Sequence, residues 1–368
     1  MDSARWHSAH VHHHDVTGFD GLLLDAVRPL FAALPPAATG AFFVRHWRRG
    51  PHIRVNVKAS DAAWVGEIRA LVDKFAGGYL SEHPSAGCPS PEREAMIHER
   101  LAELEQERGP LSPWCPDNSV QYLPYDRRLH VLGTEEAADL LADFHSDTTP
   151  LAFEILDDVR AGRRELLDTG VALMIATAQA ICPPITRGFV SYRSHAEGFL
   201  ANCGDPQGLR ARFDQVYARN ADGLAELLAE VVAAVDDRSL PLVTAWVDLL
   251  RGYRDRVEHL YTAGLLPLPD SLPAAVRDEG PPAPGWDTMS DFHQALYGNA
   301  EVRRELSSSW FAVYRTLLNY QYLLLSRLGV TPVQRFMLCH LVATTVEATH
   351  DLPLGMVIDA LRSGSVVL

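Results

Sequence analysis

The stretch that most restricts the fold runs from Ala41 to Lys58, AFFVRHW-RRGP-HIRVNVK. β-Branched and aromatic residues crowd both flanks, and Arg48-Arg49-Gly50-Pro51 supplies a reversal between them, so the segment reads as a β-hairpin. Strand side chains alternate, which puts Ile53, Val55 and Val57 on one face of the second strand and His52, Arg54, Asn56 and Lys58 on the other. One face is core. The other is a row of hydrogen-bond donors, read as the lining of a cavity, with an exposed sheet edge as the plainer alternative.

The 33 basic and 47 acidic residues give a net charge of −14 with histidine neutral, which argues against general nucleic-acid binding. An anionic partner would have to meet a local basic patch, and the hairpin offers one in Arg45, Arg48, Arg49, Arg54 and Lys58. With 47% hydrophobic residues over 368 positions, the chain has ample material for a packed core. Its five cysteines are widely spaced and form no CxxC pair, as in a reducing compartment. No signal peptide is visible, and charges interrupt every apolar run before it is long enough to span a bilayer. These features place the protein in the cytoplasm, with no membrane partner.

Near the start, WHSAHVHHHD puts His10, His12 and His14 on one face of a strand. No acidic or cysteine ligand stands at a supporting spacing, so a solvated or cavity-facing strand is favoured over a metal site. Helical periodicity marks Phe19 to Pro36 and Asp61 to Tyr79, the latter with Trp64, Ile68, Leu71, Val72 and Phe75 as its apolar stripe. Glu92 to Arg108 reads as a charged surface helix, and Ser119 to Gly133 as two extended pieces around Pro124. Glu135 to Leu156 is helical with a break at Asp147-Thr148-Thr149-Pro150. Ala- and Leu-rich helices follow over Arg160–Ala180, Leu209–Val235 and Leu242–Ala263. A Pro-rich connection over 265–284 precedes further helix from about Trp286 to Leu328 and from Thr331 to about Ala348.

In the helix after that connection, Ser290, His293 and Tyr297 are spaced i, i+3 and i+7 and share a face. Three proton-transferring types in line point to a site. Ser290 as an N-cap with half-buried His293 and Tyr297 accounts for the same spacing. Arg315, Asn319 and Tyr322 share a face of a helix that is otherwise apolar, so they brace the core or line a cavity. Cys339 and His340 are helix neighbours about a hundred degrees apart and do not pair, and Cys339 is read as core. An enzyme built this way works through positioned hydrogen bonds and modest acid/base groups, without metal or organic cofactor.

The runs WHSAHV, FFVRHWRRGPHIRVNV and YLPYDRRLHVLGTEEAADLLADFHSDT resemble the stand-alone lantibiotic-dehydratase elimination domain, a family that includes thiopeptide-type bacteriocin biosynthesis proteins. The order of elements is similar over most of the chain, whereas the helical middle is similar only in kind. The resemblance implies an α+β fold, residues 1–368 as one domain, with an antiparallel sheet and N-terminal hairpin packed against a largely helical remainder. Two activities occur among such proteins: elimination of glutamate from glutamylated Ser or Thr, and joining of two dehydroalanines into a pyridine ring. Elimination domains typically read H-[IL]-R-[LF]-R where this chain has Asn56 in place of the second arginine. Their R-Y-G-G is here Val131-Leu132-Gly133-Thr134, with Arg127, Arg128 and His130 nearby, and their H-M-x-x-N-R is His340-Leu341-Val342-Ala343-Thr344-Thr345. A carboxylate leaving group calls for guanidinium forks, and several are absent. PYDRR and SDFHQALYGN look like the pyridine-synthase branch.

That branch implies a cofactor-independent aza-cycloaddition on a ribosomally made precursor peptide, with loss of water and of the leader peptide. Tyr297 and Ser290 are then the expected acid/base groups, with His293 in support. Arg54 and His52 would orient carbonyls, and Asn56, Arg45 and Arg315 would contact substrate. Arg48 and Arg49 would dock an acidic leader. A glutamate-elimination lyase using Arg54 and His340, and a non-catalytic peptide binder engaging the hairpin edge, remain as alternatives. The oligomeric state, homodimer included, is not legible.

Overall fold

The hairpin forms as β2 (Gly40–His46) and β3 (His52–Ala59). Between them Arg49 and Gly50 take positive φ, 61° and 98°. Gly50 tolerates no side chain, because a Cβ there would stand 2.6 Å from His14 Nε2. In this computed structural model, which describes residues 4–87, 90–266 and 289–363, the fold is α+β and largely helical. The described residues group into two compact units, where the sequence reads as one domain. The first runs to Arg164 and also takes in Ser326–Gly329; the second holds Glu165–Leu325 and the residues from Val330 on.

In the first unit β1 (Arg5–His12) pairs antiparallel with β3, setting His12 opposite His52, and on its other side with β4 (Ser119–Pro124). The order β2-β3-β1-β4 makes β3 an inner strand, so the exposed-edge alternative for its polar face falls. Ile53, Val55 and Val57 are fully buried, as the alternation requires. Yet His52 and Asn56 on the opposite face are only 1% and 2% exposed. Both faces are covered.

The apolar face meets helix α1 (residues 19–32) and helix α2 (residues 61–82). His7 stacks on Trp64 at 4.9 Å, and the Tyr122 hydroxyl donates to Asp73 Oδ1 at 2.6 Å. Beyond α2 comes the charged helix α3 (Pro91–Glu105). The polar face is covered by α4 (Glu135–Asp147) and the segment before β4, whereas α5 (Thr149–Arg160) packs on the apolar face, setting Phe153 against Phe43, the register partner of Val55, at 5.2 Å. Trp6 and Phe42 meet edge-on at 4.9 Å, and Phe42 stacks on His145 at 5.1 Å. Where a second extended piece is expected after Pro124, the chain instead makes one helical turn, Leu129–Leu132. Arg128 enters that turn with positive φ, and His130 bonds the carbonyl of Gln106. Arg327 lies buried in this unit, bonding the Phe43 and His145 carbonyls and the hydroxyls of Thr148 and Thr149.

The second unit contains α6 (Leu166–Ile181), α7 (Ile185–Ala201), α8 (Pro206–Asp237) and α9 (Pro241–Thr262). It continues with α10 (Asp291–Gly298), α11 (Ala300–Leu306), α12 (Ser309–Arg327), α13 (Pro332–Thr349) and α14 (Leu354–Ser363). Helix α7 runs against α13 and presses Gly188 onto Ala178 of α6, where a Cβ would come within 2.8 Å of the Ala178 methyl. The expected Pro-rich connection lies outside the described residues from 267 on. Among the described residues no helix is long and apolar enough to cross a membrane.

His10, His12 and His46 pack around His52, His10 stacked on it at 4.7 Å and His12 and His46 tilted against it at 4.6 and 5.3 Å. The solvated reading of this strand is thus replaced by a buried imidazole stack. Burial first, then neighbouring arginines and histidines, depress their pKa values, to about 4 for His12 and His46 and about 2 for His10. In the unfolded chain they titrate near 6.5. Below that pH the unfolded state binds protons that the folded state does not, so stability is full above pH 6.5 and falls as the pH drops toward 4. The expected loss, read from denaturant midpoints at pH 7 and 5, is on the order of 1 kcal/mol per pH unit per histidine. His12→Phe should flatten the slope.

Candidate active site

Helix α10 begins with Ser290 as its N-cap, the side chain accepting from the His293 backbone N–H. The same hydroxyl lies 2.8 Å from His293 Nδ1, and His293 Nε2 lies 3.0 Å from Ser194 Oγ on α7. A neutral His293 carries one ring proton, so it donates to one of these two hydroxyls and accepts from the other. Burial lowers the His293 pKa, with Glu197 opposing, which keeps the ring neutral. The cap and the site are therefore one arrangement.

One turn on, the Tyr297 ring is 5.7 Å from that of His293. Its hydroxyl has no hydrogen-bond partner among the described residues. Burial raises its pKa against the pull of Arg315, so it stays a protonated donor at neutral pH. Arg315 is half-buried and likewise makes no hydrogen bond or ion pair with a described residue; burial lowers its pKa and Tyr297 opposes. Beside them His195 of α7 meets the Tyr322 hydroxyl through Nδ1 at 2.6 Å, and that hydroxyl is 3.4 Å from Cys339 Sγ. The His195 pKa falls to about 4, chiefly through burial and then through Arg335, His293 and Arg315. Cys339 is fully buried as expected, its thiol pushed up to about 12 by burial.

Ser290, His293, Tyr297 and Arg315 thus come together in the second unit, while Asn319 of the same helical pattern faces solvent. Ser194, His195 and Arg335 join them without having been singled out from the sequence. The only signal for the first two was the polar run Tyr192-Arg193-Ser194-His195 inside an Ala- and Phe-rich helix.

The remaining expected site residues lie in the first unit. His52 bonds the Gly50 carbonyl through Nδ1 and receives Arg54 Nε on Nε2 at 3.3 Å. Burial lowers the Arg54 pKa to about 10, with Glu107 opposing. Burial pushes Glu107 up but is outweighed by the His46 hydrogen bond and by Arg54 and Arg128, which leave it at about 2. Asn56 Oδ1 is buried without a hydrogen-bond partner. Arg45 sits on the opposite sheet face from Arg54, pairing with Asp20 at 2.5 Å and donating to the Arg327 carbonyl at 2.8 Å. Arg48 donates to the Arg108 carbonyl, and Arg49 Nε to that of Pro113 at 2.9 Å. Among the described residues no group of histidines, cysteines and carboxylates is arranged to hold a metal ion.

The position of α7 rests on a buried ion cluster. Arg193 grips Glu347 of α13 through two bonds, 2.8 and 2.6 Å, and reaches Thr344 at 2.9 Å. Arg210 of α8 holds Glu197 through bonds of 3.0 and 2.6 Å, and His340 meets Asp214 at 2.9 Å. Arg193→Met leaves Glu347 buried without its cation and should cost about 3–5 kcal/mol in urea unfolding. Arg193→Met with Glu347→Met should recover most of that loss, as expected when the penalty is an orphaned charge.

A family model described as lantibiotic biosynthesis dehydratase C-term matches residues 6–346. Among solved structures, the pyridine synthase TbtD from thiomuracin biosynthesis is 36% identical with a TM-score of 0.77, covering 95% of this chain and 99% of that one. TsrL is 21% identical with a TM-score of 0.66, covering 98% and 99%, a likeness of fold. No curated protein matches the chain. A family match from the first strand to the helix that carries Glu347 makes this chain a member of the lantibiotic biosynthesis dehydratase C-terminal family.

Proposed function

We propose that the protein is a pyridine synthase that closes a thiopeptide macrocycle on a dehydroalanine-containing precursor peptide. The observation that carries this reading is the Ser290–His293–Ser194 hydrogen-bond chain beside a protonated Tyr297 hydroxyl and an Arg315 guanidinium, both without hydrogen-bond partners among the described residues. The 36% identity to the pyridine synthase TbtD supports it.

In the reaction, one dehydroalanine and the amide before it, in the imidic form, supply four atoms, and a second dehydroalanine supplies two. Two carbon–carbon bonds form, the imidic carbon loses its hydroxyl as water, and the leader departs as an amide. These two eliminations make the ring aromatic, so the atoms balance without an oxidant. The substrate needs a donor on the reacting carbonyl, proton carriers and a fixed folded geometry. Tyr297 donates to the oxygen as the amide becomes imidic. His293, held between the Ser290 and Ser194 hydroxyls, exchanges protons through Ser194, and Arg315 orients a neighbouring carbonyl. Among the described residues the Arg49 side chain hydrogen-bonds through Nε alone, and its terminal nitrogens are assigned to an acidic leader segment.

Mass spectrometry of a dehydrated precursor incubated with the purified protein tests the reading: ring closure appears as a macrocycle lacking one water, with the leader released as an amide. Tyr297→Phe should lower the rate by about 10²–10³ with unchanged circular dichroism. No product from the dehydrated peptide, together with glutamate loss from a glutamylated one, would move the assignment to the elimination activity. Arg49→Glu should raise the apparent KM several-fold and leave kcat nearly constant; a change confined to kcat would count against leader docking there.

A further inference from the structure

The second unit contains two kinds of arginine. Arg193 and Arg210 are each matched to carboxylates, with Glu197 and Glu347 balancing them charge for charge. Arg315 and Arg335 are not. Arg315 has no hydrogen bond or ion pair with any described residue. Among the described residues the Arg335 side chain makes only ring contacts, with Cζ 5.2 Å from the centre of Tyr322 and 4.9 Å from that of Phe336, and its buried Nε meets no acceptor.

Arg315 stands two helical turns before Tyr322 on α12, Arg335 lies over the Tyr322 ring, and the Tyr322 hydroxyl holds His195 at 2.6 Å. Phe336, beneath Arg335, is itself stacked on Phe199 of α7 at 4.2 Å, so the guanidinium rests on a packed aromatic floor. Among the described residues neither half-buried guanidinium meets an anion, so an anionic ligand group finds two cations free to pair with it. A peptide carbonyl supplies one acceptor and no charge. A carboxylate supplies two oxygens in the geometry of the guanidinium fork and neutralises one of the cations.

We infer that Arg315 and Arg335 receive a carboxylate of the peptide substrate, either its C-terminal carboxylate or an acidic side chain of the core segment. The inference rests on the reading of this protein as a peptide-modifying enzyme and names what that site recognises. The carboxylate anchors one end of the core segment beside Tyr297 and His293, leaving the dehydroalanines free to fold toward each other.

The test is fluorescence anisotropy with labelled dehydrated core peptides: the free acid, its C-terminal carboxamide, and a version with core Asp or Glu changed to Asn or Gln. One of the two neutralised peptides should bind the wild-type protein on the order of tenfold more weakly than its acidic parent. Arg335→Met should remove that difference, and Arg335→Lys should retain part of it. Thermal melting of each variant separates lost recognition from lost folding. Equal binding of all three peptides to the wild type, or an undiminished carboxylate preference in folded Arg335→Met and Arg315→Met proteins, would overturn the inference. Mass spectrometry on the same mixtures keeps the two ideas apart. A carboxylate preference without ring closure would retain the recognition site and reject the pyridine-synthase reading; ring closure indifferent to the carboxylate would do the reverse.

Discussion

The ion cluster around Arg193 is the interaction on which the second unit depends. Glu197, Glu347 and Arg193 are removed from water there, with Arg210 partly exposed at their edge, and such burial is favourable only if nearly every lone pair and proton finds a partner. The bidentate grips of Arg193 on Glu347 and of Arg210 on Glu197 meet that demand, and in doing so they fix α7 in register against α13 and α8. Ser194 and His195 follow Arg193 in sequence on α7, so the register that satisfies the charges also sets the direction of the groups that meet His293 and Tyr322. The burial of charge and the placement of the reactive groups are one structural fact.

Charge is handled differently in the first unit. Its sheet is covered on both sides, and the polar face meets that condition with imidazoles kept neutral by burial and stacked ring on ring. Arg54 enters this stack and is compensated by Glu107, whose carboxylate also draws in His46, Arg48 and Arg128. A row of donors that alternation alone describes as a cavity lining becomes, with the segment before β4 packed over it, an internal polar layer.

The hairpin, most of the helices and the break before Pro150 were legible because they rest on local chemistry: alternation, 3.6-residue periodicity, a turn-forming Arg-Gly-Pro and a proline in a first helical turn; α7 was not read as a helix. The triad Ser290, His293 and Tyr297 was legible for the same reason, since i, i+3 and i+7 positions share a helix face whatever surrounds them. The short helix at Leu129–Leu132 was not, because its residues favour strand about as well as helix and the turn is set by Arg128 φ and by the His130 bond to Gln106. Arg45 shows the limit of grouping by proximity in sequence. It stands among the other hairpin arginines in the chain, yet the strand period sends it to the opposite face, where it meets Asp20.

By itself the sequence determined the α+β class, the antiparallel hairpin, the family resemblance and the shared face of Ser290, His293 and Tyr297, all set by short-range periods and residue types. Tertiary structure alone decided that Ser194, His195 and Arg335 join that face, that His52 and Asn56 are enclosed, and which arginines are matched by carboxylates. Those outcomes depend largely on pairings between residues distant in sequence, such as Arg193 with Glu347, 154 positions apart. No local pattern encodes them, because the energy of a buried charge is set by the partner that folding brings to it.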